Sequence, residues 1–327
     1  MKVCSVIVTY GDRFYLLKQV IDACLNEGID KIIVIDNASV KNSKEQLKQY
    51  EKELERLHVI YLDENTGSAG GYKRGLQEAY KCEECEYILT LDDDNVIAER
   101  TLSKLTRDYT FLKKQYGKEI CISYYRELDY FNEWINGNNH LLDNCYYRGF
   151  NIFYSIKKRL NAFFKTENTL KKDLIRTEHL NIIPVAPYSG LFFAKSIIEE
   201  TGVPNEKFFL YADDFEFTYR ISQKYPIFLD QEIKIEDIDI SWSNYNEKLK
   251  LFYHPFINTG TEFKTYYLFR NSEILENFIF NKKGLCFFVN KYIYILILVI
   301  IGFLNFKIKR IITIIKALKD AKRFNDE

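Results

Sequence analysis

Three consecutive aspartates, Asp92, Asp93 and Asp94, are the residues of this sequence best suited to chemistry. They follow the apolar run of residues 88–91 (ILTL), which predicts a buried strand of a parallel sheet. Adjacent carboxylates are costly to bury, so we expect them at the sheet edge where ligands bind in open α/β folds. Carboxylates hold Mg²⁺ together with substrate phosphates. The pattern therefore predicts a metal–diphosphate site, with an acidic surface turn as the alternative.

A second acidic cluster follows the aromatic run of residues 208–212, which predicts a strand. It contains Asp213, Asp214 and Glu216, with Arg220 at the end of the same segment. If a helix begins at Asp213, its dipole would favour ionised carboxylates, and an ionised carboxylate is suited to act as a general base. The alternative is structural, with Asp213 as a helix cap and an ion pair between Asp214 and Arg220.

His254 stands among aromatic residues in the segment FYHP. A histidine in such a setting is commonly a satisfied core or surface residue. As a third metal ligand beside Asp92 and Asp94 it is also chemically reasonable, so both interpretations remain open.

The elements that position these groups follow from hydrophobic periodicity. Residues 1–91 predict a β-α-β-α-β-loop-α-β unit, and right-handed crossovers place the carboxyl ends of such strands on one edge. Tyr10, Asp36, Asn65 and the three aspartates would meet there, which predicts a nucleotide cleft. The strands are expected at residues 3–8, 31–35, 58–62 and 87–91, with helices at 13–26, 43–57 and up to 80.

Glycines at positions 67, 70, 71 and 75 predict a loop of close backbone approach that leads into a helix. Amides at a helix start favour anions, and Lys73 and Arg74 would contact phosphate unless they are only solvated. A nicotinamide site needs G-x-G-x-x-G directly after the first strand, where only Gly11 occurs. We therefore exclude a dehydrogenase.

Composition limits the partners. The 327 residues include 46 basic and 46 acidic side chains, which argues against general nucleic-acid binding. Seven scattered cysteines predict free thiols in a reducing compartment, and Cys82 and Cys85 lack a second ligand pair for zinc. The amino terminus does not resemble a secretory signal, so we expect a cytoplasmic catalytic domain.

Over about residues 2–280 the sequence resembles the family 2 glycosyltransferases of the GT-A fold, an α/β fold with a mostly parallel, Rossmann-like sheet flanked by helices. The sequence motifs are most similar to those of the rhamnosyl- and galactofuranosyl-transferase branch. The Q-x-x-R-W motif of processive members is absent. The resemblance implies a GT-A domain at residues 1–280, with a nucleotide-sugar half (1–120) and an acceptor half (121–280). The matching segments are VIVTYGDR, IDNAS, NTGSAGGYKRG, LTLDDDN, YSGLFF, FFLYADDFEFTYR and YHP with YYLFRN.

The resemblance also implies roles: inverting transfer from a UDP- or dTDP-linked sugar, such as galactofuranose or rhamnose, with Mn²⁺ or Mg²⁺. Asp92, Asp94 and His254 would bind the metal, and Asp214 would deprotonate the acceptor hydroxyl. Asp213 and Glu216 would contact the acceptor. The nucleotide sugar would be bound by Thr9, Tyr10, Asp36, Asn65, Gly67, Gly71, Lys73, Arg74, Asp92 and Asp93. Lys73 replaces the small polar residue of many members, and residues 121–183 match no motif.

Residues 285–306 are strongly apolar, and a basic amphipathic helix follows them, so residues 281–327 predict a membrane-associating appendage. One membrane span would separate the basic tail from a cytoplasmic catalytic domain, against the positive-inside rule. We therefore favour monotopic or hairpin attachment to the inner face of the cell membrane, with a span or a buried dimer-interface helix as alternatives. The expected acceptor is a glycan or a lipid-linked glycan, and a homo-oligomer remains open.

Two other functions compete. A nucleotidylyltransferase would need a basic, glycine-rich loop directly after the first strand, and the turn TYGD lacks it. A non-catalytic, membrane-bound sugar-nucleotide-binding partner would not need Asp92, Asp94 and Asp214, all of which are present.

Overall fold

The computed structural model describes residues 1–126, 129–136, 141–157, 179–239 and 254–324. The chain forms two compact units. The first contains residues 1–132 and 176–246, and the second contains residues 133–175 and 247–327. The predicted domain boundary at residue 280 stays a prediction.

The first unit is built on a nine-stranded mixed sheet. Its strands are β1 (Val3–Thr9), β2 (Lys31–Asp36), β3 (Leu57–Tyr61), β4 (Tyr87–Asp92), β5 (Asn95–Ile97), β6 (Cys121–Tyr125), β7 (Leu180–Ile183), β8 (Leu191–Ala194) and β9 (Ile227–Asp237). The helices that begin in this unit are α1 (Phe14–Asn26), α2 (Lys41–Glu53), α3 (Gly67–Lys81), α4 (Thr101–Tyr116), α5 (Asp129–Ile135), α6 (Ile197–Thr201) and α7 (Asp213–Ser222).

The amino-terminal half of the sheet is parallel, in the order β3-β2-β1-β4. Thr9 pairs with Asp36, and Val8 pairs with Asp92, so the carboxyl ends of three strands are aligned at one edge. The buried apolar runs of β1, β2 and β4 explain this, since each strand is covered on both faces. The predicted α/β unit and the mostly parallel, GT-A-like sheet are confirmed.

The other half of the sheet is mixed. β8 runs antiparallel to β4 and to β6, and β9 runs parallel to β6 and antiparallel to β5 and β7. The sequence analysis did not identify β5, β7 or β9. β5 and β7 are only three and four residues long. β9 carries charged residues through its second half, so it lacks the apolar run that identified the parallel strands.

Helix α3 begins at Gly67, so the predicted glycine-rich loop is wrong: Gly67, Gly70, Gly71 and Gly75 all lie in the helix. A Cβ atom on Gly71 would lie 2.6 Å from Val8 Cγ1, and one on Gly75 would lie 2.4 Å from Val6 Cγ1. These glycines let α3 approach β1 closely. The packing outweighs the cost of about 1 kcal/mol for each glycine inside a helix.

The described part of the second unit is mainly helical. It contains α8 (Pro255–Asn258), α9 (Glu262–Ile274), a π-helical turn (Leu275–Ile279), α10 (Leu285–Leu304) and α11 (Ile308–Ala321). Its core is formed by Tyr147, Ile257, Phe269, Phe287, Tyr294, Leu298, Ile314 and Ala317. Within the described ranges, α10 alone has the length and apolar composition of a membrane span, with a mean hydropathy of 2.2.

The cysteines differ from the prediction of free thiols. Disulfides join Cys4 to Cys85 and Cys145 to Cys286, with Cα–Cα distances of 5.5 and 5.0 Å. The partners are 81 and 141 positions apart in the chain, so only the fold brings them together. Cys24, Cys82 and Cys121 are free thiols.

Candidate active site

The predicted aspartates lie at the carboxyl edge of the parallel sheet, where Asp92 ends β4 and Asp93 and Asp94 connect it to β5. Asp93 is 4% exposed and accepts a hydrogen bond of 2.6 Å from the Thr9 hydroxyl at the end of β1. Arg13 Nε lies 3.0 Å from both carboxylate oxygens of Asp93. Both carboxylate oxygens of Asp93 are therefore hydrogen-bonded within the protein, and the Thr9 hydroxyl is one of the donors.

Arg13 binds two further carboxylates. It donates hydrogen bonds of 2.7 Å to Asp94 and 2.7 Å to Asp239. A second arginine, Arg126, donates a hydrogen bond of 2.6 Å to Asp237 on β9. The end of β9 thus lies against the turn that carries the three aspartates. Residues at the ends of β1, β4, β6 and β9 therefore form one acidic cluster.

The charge of this cluster suits a divalent cation. Among the described residues, five carboxylates face the guanidinium groups of Arg13 and Arg126, namely those of Asp92, Asp93, Asp94, Asp237 and Asp239. Burial and the charges of Asp92 and Asp93 raise the pKa of Asp94 to about 6. Burial also raises the pKa of Asp92. Because the carboxylates outnumber the guanidinium groups by three and the oxygens of Asp93 are already bound, Asp92 and Asp94 fit as metal ligands.

Asp92 is oriented by Tyr72 on α3, which donates a hydrogen bond of 2.7 Å to its carboxylate. The Tyr72 ring packs on the Tyr188 ring with centroids 3.9 Å apart. Tyr188 in turn faces the second acidic cluster, since the charges of Asp213 and Asp214 raise its pKa further after burial. The tilted pair of Tyr72 and Tyr188 therefore connects Asp92 to the Asp213–Asp214 pair.

Asp213 and Asp214 open helix α7, as the sequence predicts, but Ala212 is the capping residue. Burial raises the pKa of Asp213 to about 7, although Ser68 donates a hydrogen bond of 2.8 Å to it. Burial and the charge of Asp213 hold the pKa of Asp214 well above its usual range. Desolvation thus opposes the helix dipole, which the sequence analysis expected to favour the ionised pair.

The backbone that leads into this pair is strained. Phe209 has φ 62° and ψ −61°, and the Leu210 amide donates a hydrogen bond of 2.7 Å to the Phe208 carbonyl, which is a classic γ-turn. Tyr211 and Ala212 also have positive φ, so residues 208–212 are not the predicted strand. Gly67 lies against this turn, where a Cβ atom would be 1.9 Å from the Phe209 carbonyl oxygen. Such strain is concentrated at functional sites.

Glu216 and Arg220 form an ion pair through two of the arginine nitrogens, one of them 3.0 Å from the carboxylate. Arg220 also donates to the carbonyls of Thr201 and Val203. The structural alternative, with an Asp214–Arg220 ion pair, is therefore wrong. Glu216 is held by Arg220, so its predicted contact with an acceptor stays a prediction, as does that of the buried Asp213.

The predicted nucleotide side lies at the ends of β2 and β3. Asp36 accepts a hydrogen bond of 2.9 Å from the Ser39 amide, and Lys44 Nζ lies 3.6 Å from its other oxygen. Asn65 accepts a hydrogen bond of 2.8 Å from the Gly67 amide. Tyr10 is 48% exposed, with the Arg13 guanidinium 5.7 Å from its ring centre.

Lys73 and Arg74 have protein partners. Lys73 forms an ion pair of 2.7 Å with Glu206, and Arg74 lies 3.8 Å from Glu78. Because α3 begins at Gly67, Lys73 lies about 9 Å along the axis from the helix start. Neither residue lies in the first turn of the helix, and their predicted contact with phosphate stays a prediction.

His254 belongs to the second unit, whereas Asp92 and Asp94 belong to the first. Burial and the charge of Arg148 lower the pKa of His254 to about 4, so its imidazole is neutral near pH 7. Its Nδ1 atom is buried without a hydrogen-bond partner in the described part of the chain. Its place among the metal ligands stays a prediction.

Several residues of the site were missed by the sequence analysis. Arg13 lies only four positions after Thr9, inside the quoted segment VIVTYGDR, so it was within reach. Asn37, which binds the backbone of Thr66 and Gly67, lies inside the segment IDNAS. No local sequence pattern identifies the charged residues at the end of β9, which strand pairing brings to the site. They are Asp237 and Asp239.

Comparison with known proteins identifies a family and several relatives. Residues 5–173 match the family model described as glycosyl transferase family 2. The Bacillus subtilis protein TuaG, which is named as a teichuronic acid biosynthesis glycosyltransferase, is 35% identical over 74 residues. The match covers 23% of this chain and 28% of the relative. The poly(ribitol-phosphate) beta-glucosyltransferase of Bacillus spizizenii is 33% identical over 118 residues, 35% of this chain and 18% of the relative. The chain thus spans less than a third of either protein.

Among solved structures, a mannosyltransferase from Pyrobaculum calidifontis, in complex with GDP-Man and Mn²⁺, has a TM-score of 0.53. The match covers 98% of this chain and 75% of that chain at 14% identity. At this identity the likeness concerns the fold.

Proposed function

The chain belongs to glycosyl transferase family 2, and on that basis we propose that it transfers a sugar from a nucleoside-diphosphate sugar to a hydroxyl group of a glycan or a lipid-linked glycan. One observation carries this proposal. Tyr72 donates a hydrogen bond of 2.7 Å to Asp92 and packs on Tyr188, which lies beside Asp213 and Asp214, so the candidate metal ligand and the candidate base lie in one cluster. A transferase needs both functions within reach of one sugar.

We assign the donor to the edge formed by the ends of β1, β2 and β4. Thr9, Tyr10 and Asp36 would hold the base and ribose. Asn65 and the start of α3 at Gly67 and Gly71 would border the diphosphate. Lys73 and Arg74 would contact the diphosphate in place of the glutamates with which each now pairs.

Asp92 and Asp94 would hold Mn²⁺ or Mg²⁺, with His254 as a further candidate ligand. A divalent cation bound there would neutralise charge on the leaving diphosphate. The surrounding residues prepare the site: Arg13 fixes Asp93 and Asp94, and Tyr72 orients Asp92.

Asp214 would act as the general base. Its raised pKa makes the carboxylate a stronger proton acceptor than an ordinary aspartate. As the acceptor oxygen forms its bond to the anomeric carbon, the bond from that carbon to the diphosphate oxygen breaks and the hydroxyl proton passes to Asp214. This single displacement inverts the anomeric configuration and needs no enzyme nucleophile, unlike retaining hydrolysis with paired carboxyl groups.

The product class is a cell-surface polysaccharide. The names of two relatives, in teichuronic acid biosynthesis and in poly(ribitol-phosphate) glucosylation, support this class. The sequence motifs favour a UDP- or dTDP-linked donor and the rhamnosyl- or galactofuranosyl-transferase branch. We place the reaction at the inner face of the cell membrane, where a lipid-linked acceptor is accessible.

Two alternatives make different predictions. A non-catalytic sugar-nucleotide-binding partner would bind donor without consuming it. A nucleotidylyltransferase would release pyrophosphate from a nucleoside triphosphate rather than transfer a sugar.

Thermal unfolding with UDP, dTDP, GDP and CMP, each with and without Mn²⁺, tests the proposal. A ligand that binds only the folded state raises its stability by mass action. We expect a Mn²⁺-dependent rise in Tm with UDP or dTDP. The absence of a shift with every nucleotide would contradict the proposed donor site.

A further inference from the structure

The helices α10 and α11 of the second unit both present exposed apolar side chains. On α10 these side chains recur every three or four residues, so they lie on one face of the helix. Leu285 is 81% exposed and Tyr292 is 66% exposed, although both lie in a helix of mean hydropathy 2.2. The exposed apolar face comprises Leu285, Phe288, Tyr292, Leu296, Ile300, Phe303, Leu304, Phe306, Ile308, Ile312 and Ile315.

The opposite face of α10 is committed to the protein. Lys291 pairs with the buried Glu273 of α9. Asn290 accepts a hydrogen bond of 2.8 Å from the Ile152 amide and donates one of 2.5 Å to the Cys145 carbonyl. A helix that crosses a bilayer alone would expose these polar groups to lipid, which is costly without their partners.

Helix α11 is also fixed within the second unit. Arg310 donates hydrogen bonds of 2.9 Å to the Thr261 carbonyl and 2.7 Å to the Gly260 carbonyl, at the start of α9. Tyr266 of α9 donates one of 2.8 Å to Asp320. If α10 crossed the membrane, α11 would be carried to the far side and would lose these contacts with α9.

The charges around the exposed apolar face suit an anionic surface. Between residues 281 and 324 the sequence contains ten basic residues and one acidic residue, Asp320, which is bound by Tyr266. Those that are exposed include Lys283, Lys307, Lys309, Lys316, Lys319, Lys322 and Arg323. Basic side chains beside an apolar helix face are typical of helices that lie in the interface of anionic membranes.

We propose that α10 and α11 lie in the plane of an anionic lipid bilayer, with the exposed apolar face inserted into one leaflet, and that α10 does not cross it. This arrangement keeps both termini on one side. It does not depend on the transferase activity, so the two proposals can fail separately.

Flotation of the full chain with phosphatidylglycerol-containing vesicles and with pure phosphatidylcholine vesicles tests the inserted face. We expect binding that is stronger with phosphatidylglycerol and falls about ten-fold or more in the double variant Leu296→Glu with Ile300→Glu. The matched control, Tyr15→Glu with Phe111→Glu, introduces the same charges at exposed apolar residues of the first unit and should bind normally. Asp214→Asn should also bind normally.

Circular dichroism and size-exclusion chromatography of the double variant separate loss of the lipid-binding face from misfolding. A folded double variant that still floats with vesicles would overturn the proposal. So would a stable dimer that depends on Leu296 and Ile300 and ignores vesicles, since a second copy would then cover this face.

Protease accessibility of tags at the two termini, in sealed vesicles from expressing cells, tests the topology. Cleavage of both tags from the same side is expected. Cleavage from opposite sides would show a membrane span and overturn the in-plane arrangement.

Discussion

The guanidinium group of Arg13 lies 2.7 Å from the Asp94 carboxylate, although 81 positions separate the two residues in the chain. Arg13 follows β1 and Asp94 follows β4, and the parallel pairing of these strands brings both to the same edge. This contact determines how much negative charge the site retains for a metal ion. The same contact also contributes to the free energy of unfolding.

We expect Arg13→Gln to destabilise the protein by about 2–4 kcal/mol, because the largely buried carboxylates of Asp93 and Asp94 would lose their counter-charge. Chemical denaturation measures the free energy of unfolding. Lys18→Gln, which removes an exposed ion pair from α1, is the control and should change it by less than about 0.5 kcal/mol. If Asp92 and Asp94 bind metal, Mn²⁺ should restore part of the loss. Equal effects of the two substitutions would argue against a buried cluster.

Asp214→Asn should lower sugar transfer by about 10²- to 10⁴-fold, because the amide cannot accept the acceptor proton. Donor binding should remain, since Asp214 is assigned no contact with the nucleotide. Turnover and donor affinity are measured separately on the same preparation. Glu83→Gln, an exposed change at the opposite end of β4, is the control. Retention of turnover in Asp214→Asn would remove this residue from the mechanism.

The pH dependence of kcat/KM should show an acid limb above the ordinary range of an aspartate, because the base is active only when deprotonated and its pKa is raised. The rate should therefore rise with pH through this limb. Asp213→Asn should move the limb to lower pH, since the charge of Asp213 is one cause of the raised pKa of Asp214. A limb that stays in place would assign it to another group.

The raised pKa of Asp213 also makes the stability of the protein depend on pH. The pKa of Asp213 rises from 3.8 to about 7 in the folded state, so this state binds more protons than the unfolded chain across that interval. The contribution of Asp213 to stability is thus fully present below pH 4 and is lost as pH rises toward 7. Thermal unfolding across this interval should show a shallower decline in Asp213→Asn than in the parent chain.

Gly75→Ala should destabilise the protein by about 1–3 kcal/mol through overpacking, because the new Cβ atom would meet Val6 Cγ1 at 2.4 Å. Combining it with Val6→Ala removes the colliding methyl group. A double-mutant cycle should therefore give a loss smaller than the sum of the two single losses. Additive losses would show that α3 moves away from β1 without cost.

Lys291→Met should reduce the free energy of unfolding by about 3 kcal/mol, since it leaves the buried carboxylate of Glu273 without its ion-pair partner. Lys283→Met, an exposed change just before α10, should have little effect. The comparison is made by urea denaturation of both variants. A small loss in Lys291→Met would indicate that α10 does not pack on α9 through this pair.

Local sequence determined the first half of the fold. Apolar runs such as that of β1 are buried on both faces, so their periodicity and end residues are visible without any tertiary information. Asp92, Asp94 and Asp214 were identified because carboxylates directly after such runs, or at a helix start, are chemically unusual. The family motifs added the assignment of roles.

Only the tertiary structure decided how these groups are charged and what surrounds them. The end of β9 supplies Asp237 through pairing with β5, and desolvation raises the pKa of Asp214 against the helix dipole. The sequence of α10 is likewise compatible with a membrane span. In the structure, the buried Lys291–Glu273 pair gives the two faces of α10 different environments. Burial, charge and strand pairing depend on contacts between residues far apart in the chain, and no local pattern specifies them.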